Sequence, residues 1–122
     1  MTVPKLANAE LAVMERLWEE GSLTARHLRE QLYPDAAMSM HGTIQRLLQR
    51  LEDKGFIHRD RDRAAHVFTA RISREVYACG RLEALADQVT GGSLMPMISH
   101  LVEERKLSDA DMERLRQLLE ER

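Results

Sequence analysis

The sequence predicts a mainly α-helical fold with a small β-hairpin wing: a winged helix-turn-helix followed by a C-terminal helical domain. Three observations carry this. Apolar residues recur at helical spacing in three short segments before Gly55. Two strand-like runs, FIHRD and HVFTARI, then flank the charged loop RDRAA. A diglycine, Gly91-Gly92, separates these from two more amphipathic segments.

The first helix is expected between Asn8, a good N-cap, and Gly21, a stop signal. Glu10 suits the positive end of its dipole, and Leu11, Met14, Leu17 and Trp18 form its apolar face. A second helix is expected over 24–32, capped by Thr24 or Ser22, with Leu28 and Leu32 inward. Pro34 ends it, because proline lacks a donor and disfavours helix in the residue before it. In the third segment Ile44, Leu47, Leu48 and Leu51 fall at i, i+3, i+4 and i+7, one buried stripe closed by Gly55. No Asn-Gly or Asp-Gly pair marks the hairpin, so its turn, formed around Asp62, is expected to be loose.

Beyond the hairpin, Ser73 suits the cap of a helix running to about Thr90, with Val76, Leu82, Leu85 and Val89 available for burial. After the diglycine a helix over 93–106 places Leu94, Met97, Ile98, Leu101 and Val102 on one face, with Pro96 tolerated in the first turn. Ser108 and Asp111 resemble a capping box opening a last helix with Met112, Leu115, Leu118 and Leu119 inward. The expected domains are 1–72 and 73–122.

Composition narrows the function. With 43% hydrophobic and 31% charged residues among 122, the chain is a globular protein and not a disordered one. No apolar run approaches the roughly 18–20 residues of a membrane span, and the start, MTVPKLANAE, lacks a signal-peptide core, so a cytoplasmic protein with no membrane partner is expected. The single cysteine excludes an internal disulfide framework. Five aromatic residues are too few for single-strand stacking platforms. The net charge of −2 hides an asymmetry: residues 41–71 hold seven Lys/Arg against four Asp/Glu, whereas 72–122 hold seven against ten. A local patch sets the field that a polyanion meets.

That patch suits double-stranded DNA. A major groove about 12 Å wide admits one helix, whose outward side chains must donate and accept at base edges. The third helix offers Thr43, Gln45, Arg46, Gln49 and Arg50, with Lys54 further along as a phosphate contact. Arg59, Arg61 and Arg63 alternate with Asp60 and Asp62, so the three arginines are expected on one outward face of the wing. The apolar stripe from Leu94 to Leu119 would be exposed in a monomer. Contiguous apolar surface of that kind marks an association surface, and a two-fold homodimer would set two reading helices about 34–36 Å apart on a palindromic operator.

Other chemistry finds little support. No Gly-rich phosphate loop, Gly-x-Ser-x-Gly or His-Glu-x-x-His occurs, so an enzyme is not expected. His58 and His66 lie on neighbouring strands, but with Cys79 they lack the short spacing of a metal site, so neither metal nor cofactor is expected. Two competing readings stay open: a winged-helix module that binds protein rather than DNA, and a repressor answering to a small ligand.

The segments LANAELAVMERLW, TIQRLLQRLEDKGFI and GGSLMPMISHLVEERKLSDADMERLRQLL resemble, in order over residues 6–120, the penicillinase-repressor family of BlaI and MecI. The resemblance implies a dimeric transcriptional repressor with an N-terminal winged helix and a C-terminal three-helix dimerisation domain, bound to a palindromic operator. It also implies that Thr43, Gln45 and Arg46 face the operator. The Cys-x-Cys motifs of copper-responsive relatives are absent, so copper sensing is not implied. Staphylococcal-type members are inactivated by a sensor-linked protease at an Asn-Phe bond; the corresponding place here is His100-Leu101, a different residue pair, where a cut would still sever the helix carrying Leu94 to Val102 and dissolve the dimer.

Overall fold

The computed structural model describes residues 3–36 and 38–122. Among the described residues nine elements follow one another: α1 (Asn8–Glu20), β1 (Ser22–Thr24), α2 (Ala25–Leu32), α3 (His41–Asp53), β2 (Ile57–Asp60), β3 (Val67–Ala70), α4 (Arg74–Val89), α5 (Met95–Glu103) and α6 (Asp109–Glu120). They form two compact units, residues 1–81 and 82–122.

In the first unit three helices and a small antiparallel sheet enclose one core. Val13, Met14, Leu17, Leu28, Ile44, Leu48, Leu51, Phe56, Ile57 and Phe68 are essentially inaccessible to solvent. The α3 stripe is buried at all four expected positions. Val13 joins Met14 and Leu17 inside, while Leu11, Trp18 and Leu32 are half-buried against the core.

The ends of α1 and α2 follow local chemistry. Ala7, not Asn8, is the N-cap of α1, in an extended conformation. The reason is Glu10, whose Oε1 accepts the Ala7 N–H at 2.8 Å and closes the first turn one residue earlier than a side-chain cap at Asn8 would. Gly21 ends α1 at φ 89°, a conformation costly for any residue with a Cβ. Thr24 caps α2, its hydroxyl accepting from the His27 N–H.

The sheet order is β1-β3-β2. Strand β1 has only three residues, too few to show alternation in sequence, and exists through its pairing with β3, where Leu23 faces Phe68. On the other side Ile57 faces Ala70 and Arg59 faces Phe68.

Helix α4 starts as expected, with Ser73 Oγ accepting the Val76 N–H at 3.1 Å. Its burial differs from expectation. Val76, Leu82, Leu85 and Val89 are exposed, and Tyr77 and Ala86 are buried instead. The division between the two compact units lies inside α4, and Tyr77 belongs to the core of the first. Tyr77 packs against Trp18 and edge-on to Phe56, with ring centroids 6.1 and 5.9 Å apart. Trp18 Nε1 donates to the Ile72 carbonyl at 2.8 Å, which fixes the approach to α4.

In the second unit α5 is shorter than the expected 93–106, covering Met95–Glu103 with Pro96 in its first turn. Arg105 turns the chain through φ 56°, and the Lys106 N–H returns to the Leu101 carbonyl, which closes the helix before its periodicity runs out. The Ser108–Asp111 capping box forms, with the Asp111 N–H donating to Ser108 Oγ at 3.0 Å. No side chain of α5 or α6 is buried.

Candidate nucleic-acid interface

Burial of Ile44, Leu47, Leu48 and Leu51 fixes the rotation of α3, and its opposite face is thereby presented to solvent. Arg46, Gln49 and Arg50 are exposed there, and Thr43 and Gln45 are half-buried at the flank. Arg46 Nη2 lies 3.5 Å from Thr43 Oγ1, and its guanidinium lies beside Gly42 at the start of the helix. Gln49 Nε2 donates to Asp53 Oδ1 at 2.9 Å, which leaves the Gln49 carbonyl as an acceptor. Neither Arg46 nor Arg50 forms an ion pair among the described residues, so both guanidinium groups are available to a ligand.

Lys54 is differently engaged. Its ammonium donates to both carboxylate oxygens of Glu10, at 3.0 and 2.9 Å. Glu10 is only 2% exposed, so this is a structural ion pair joining the start of α1 to the end of α3. Burial raises the Glu10 carboxyl, but the Ala7 N–H, the Lys54 ammonium and the Arg50 charge outweigh it and hold it below the usual carboxylate range. A buried acid at residue 10 has no periodic signature; sequence alone assigns it to the helix dipole.

The wing arginines do not share one free face. Arg59 lies on the same face of β2 as buried Ile57, two residues earlier, so it continues the core edge. Its side chain is 12% exposed, its guanidinium sits 4.8 Å above the Phe68 ring, and its Nε lies 3.3 Å from Glu52. The alternation Ile57-x-Arg59 was the sequence signal for this placement. Arg61 reaches the same Glu52 at 3.2 Å but remains mostly exposed, as does Arg63, which pairs with Asp60 at 3.3 Å. Asp60 is no solvent-facing spacer either: its Oδ1 accepts the Asp62 N–H at 3.0 Å and turns the chain. The Asp62 and Arg63 contacts, not burial, hold the Asp60 carboxyl below its ordinary range. Glu52 thus ties α3 to the wing through two arginines.

The histidines and Cys79 assemble no metal site: among the described residues no group of three or more His, Cys, Asp or Glu could hold one. Among the described residues no helix is long and apolar enough to cross a membrane. In the second unit Leu101, Met112, Leu118 and Leu119 are exposed, and Leu94, Met97, Ile98, Val102 and Leu115 are half-buried. Ile98, Leu101, Leu107, Leu115 and Leu118 line an apolar groove of about 470 Å³ between α5 and α6. His100 and Leu101 lie inside α5, their carbonyls accepting from Glu104 and Lys106.

Three helices, a three-stranded antiparallel sheet and a hairpin tied to the third helix define a winged helix-turn-helix protein. The model of the family described as penicillinase repressor matches residues 6–121, and the chain belongs to that family of transcriptional repressors. It is 28% identical over 119 residues to the penicillinase repressor of Bacillus licheniformis, covering 98% of this chain and 92% of the relative. It is 31% identical over 109 residues to the transcriptional regulator BlaI of Mycobacterium tuberculosis, covering 88% and 78%. The solution structure of the DNA binding domain of the repressor BlaI matches with a TM-score of 0.51 at 29% identity, over 63% of this chain and 94% of that domain.

Proposed function

We propose that this protein is a cytoplasmic, sequence-specific repressor that binds a palindromic operator in duplex DNA as a homodimer. The single observation that carries the reading is α3: Arg46, Gln49 and Arg50 stand in solvent above a fully buried stripe, with Thr43 and Gln45 beside them. That set matches base-edge chemistry, arginine pairing with guanine and glutamine with adenine. Arg61 and Arg63, exposed at the wing, suit phosphates. Lys54 and Arg59 support the interface by holding α3 and the wing in place.

The second unit is assigned to dimerisation. Its helices have no buried side chain of their own, and Leu119 is 64% exposed. Helices of nine and twelve residues without a core are marginal in water, so a second copy supplies the missing apolar contacts. The His100–Leu101 bond is the proposed cleavage point for derepression. A protease takes its substrate extended, and α5 is a helix of only nine residues whose own unit buries none of its side chains, so only the contacts with the second copy oppose its unwinding. A cut there splits α5 and detaches its last residues together with α6, and separated monomers lose about 10²–10⁴ in operator affinity.

The test is a gel shift of the full-length protein on a duplex selected from a random pool, across a salt series. Retention that weakens with salt and a symmetric selected site support the reading. Failure to retain any duplex at low salt overturns it in favour of a protein-interaction module. An intact band during induced derepression, seen by immunoblot, overturns cleavage and favours a ligand-responsive repressor.

A further inference from the structure

The two exposed arginines of the wing each share a carboxylate with a partner fixed inside the fold. Glu52, in the last turn of α3, is half-buried and meets Arg59 Nε at 3.3 Å and Arg61 Nη2 at 3.2 Å. Arg59 is the fixed partner, held over the Phe68 ring; Arg61 is 57% exposed and has no other ion pair among the described residues. Asp60 repeats the arrangement. Its Oδ1 accepts the Asp62 N–H inside the turn, and its Oδ2 accepts from Arg63 Nε at 3.3 Å, Arg63 being 69% exposed.

Each outer arginine is therefore releasable. A half-buried carboxylate left with no partner is costly, but Glu52 without Arg61 still faces Arg59, and Asp60 without Arg63 still accepts the Asp62 N–H. The α3 cations Arg46 and Arg50 carry no such restraint, having no ion pair among the described residues. Carboxylate and phosphate offer a guanidinium the same chemistry, a pair of anionic oxygens.

We infer that Glu52 and Asp60 are intramolecular stand-ins for DNA phosphate, which hold Arg61 and Arg63 in the free protein and lower its affinity for every duplex alike. The inference rests on the DNA-binding reading above and adds a restraint to it. A phosphate that reaches Arg61 must take it from Glu52 or share it against the repulsion of two anions. Either route forfeits part of the gain from neutralising that phosphate. The uncovered carboxylate also draws a cation from solution, which opposes counterion release. Base preference is untouched, because phosphate contacts carry no sequence information directly.

The experiment titrates full-length wild type, Glu52→Gln, Asp60→Asn and Glu15→Gln against the selected duplex and an unrelated duplex between about 50 and 200 mM salt. Glu15 is exposed and has no ion pair among the described residues, so its variant reports the loss of one negative charge alone. Glu52→Gln and Asp60→Asn are each expected to bind both duplexes about two- to fivefold more tightly than Glu15→Gln at the low-salt end, with a salt slope steeper by up to about one. Glu52→Gln should lose that advantage in an Arg61→Ala background, and Asp60→Asn in an Arg63→Ala background. Asp60→Asn keeps the oxygen that accepts the Asp62 N–H, so it decides the matter where circular dichroism shows Glu52→Gln misfolded. Binding weaker than wild type overturns the inference, since the carboxylates then position the arginines for DNA instead of withholding them. Binding equal to Glu15→Gln, or an advantage that survives removal of the arginine, overturns it as well. Failure of wild type to bind any duplex overturns the DNA-binding reading itself.

Discussion

The Tyr77 hydroxyl accepts the backbone N–H of Leu6 at 2.9 Å, joining residues 71 positions apart in a buried contact. The bond fastens the first turns of α4 to the segment that precedes α1. Nearby, a Cβ on Gly80 would lie only 3.2 Å from the Val3 side chain, so α4 and the N-terminal segment are in close contact there. Any movement of α4 at this end is therefore a movement of the winged-helix unit.

Tyr77→Phe keeps the ring against Trp18 and Phe56 but leaves the Leu6 N–H buried without an acceptor. The expected cost is about 1–2 kcal/mol in urea unfolding, with the α3 face unchanged. A variant as stable as wild type would show that water replaces the hydroxyl at Leu6.

Lys54→Met strands the Glu10 carboxylate. Breaking a fully buried pair costs about 3–5 kcal/mol; with Lys54 partly open to solvent, about 2 kcal/mol is expected at neutral pH. Because the folded state holds Glu10 below its ordinary range, the pair stabilises above the unfolded carboxylate range, and this contribution is lost as pH falls through the folded value. The penalty should therefore shrink between about pH 7 and pH 3. Urea midpoints at the two pH values check this, and an equal penalty at both would rule out the ion pair as its source.

Arg46→Ala and Arg61→Ala should separate base readout from backbone contact. The first is expected to relax preference at one position of each half-site by about 1–3 kcal/mol, with no loss of stability. The second should weaken all duplexes alike and flatten the salt slope. Binding-site selection repeated on Arg46→Ala, returning the wild-type motif, would remove Arg46 from the groove.

Leu119→Glu places a charge on the exposed face of α6 and should convert the proposed dimer to monomer in sedimentation. Operator affinity should fall by about 10²–10⁴, while melting of the winged-helix unit is unaffected. A monomeric wild type in the same experiment would refute the dimer.

Strong local rules made most of the architecture legible in the sequence. The i, i+3, i+4, i+7 stripe of α3, the Ser108–Asp111 box and the stops at Gly21 and Gly55 depend only on neighbours within one or two turns, and all are present. The same rules brought out Arg46, Gln49 and Arg50 as outward residues. Strand β1, the Glu10–Lys54 pair and the Tyr77 anchor were not legible, because each exists only where distant segments meet. The wing arginines lay between these cases. Their charge was visible, but whether Arg59 meets solvent or Glu52 depends on which face of β2 the core covers. Sequence by itself determined which residues are amphipathic and where helices start and stop, since those are short-range properties of backbone and side chain. Tertiary structure decided which cations remain unpaired, because a charge is compensated by whatever carboxylate the fold brings within a few ångströms, however far away it lies in the chain.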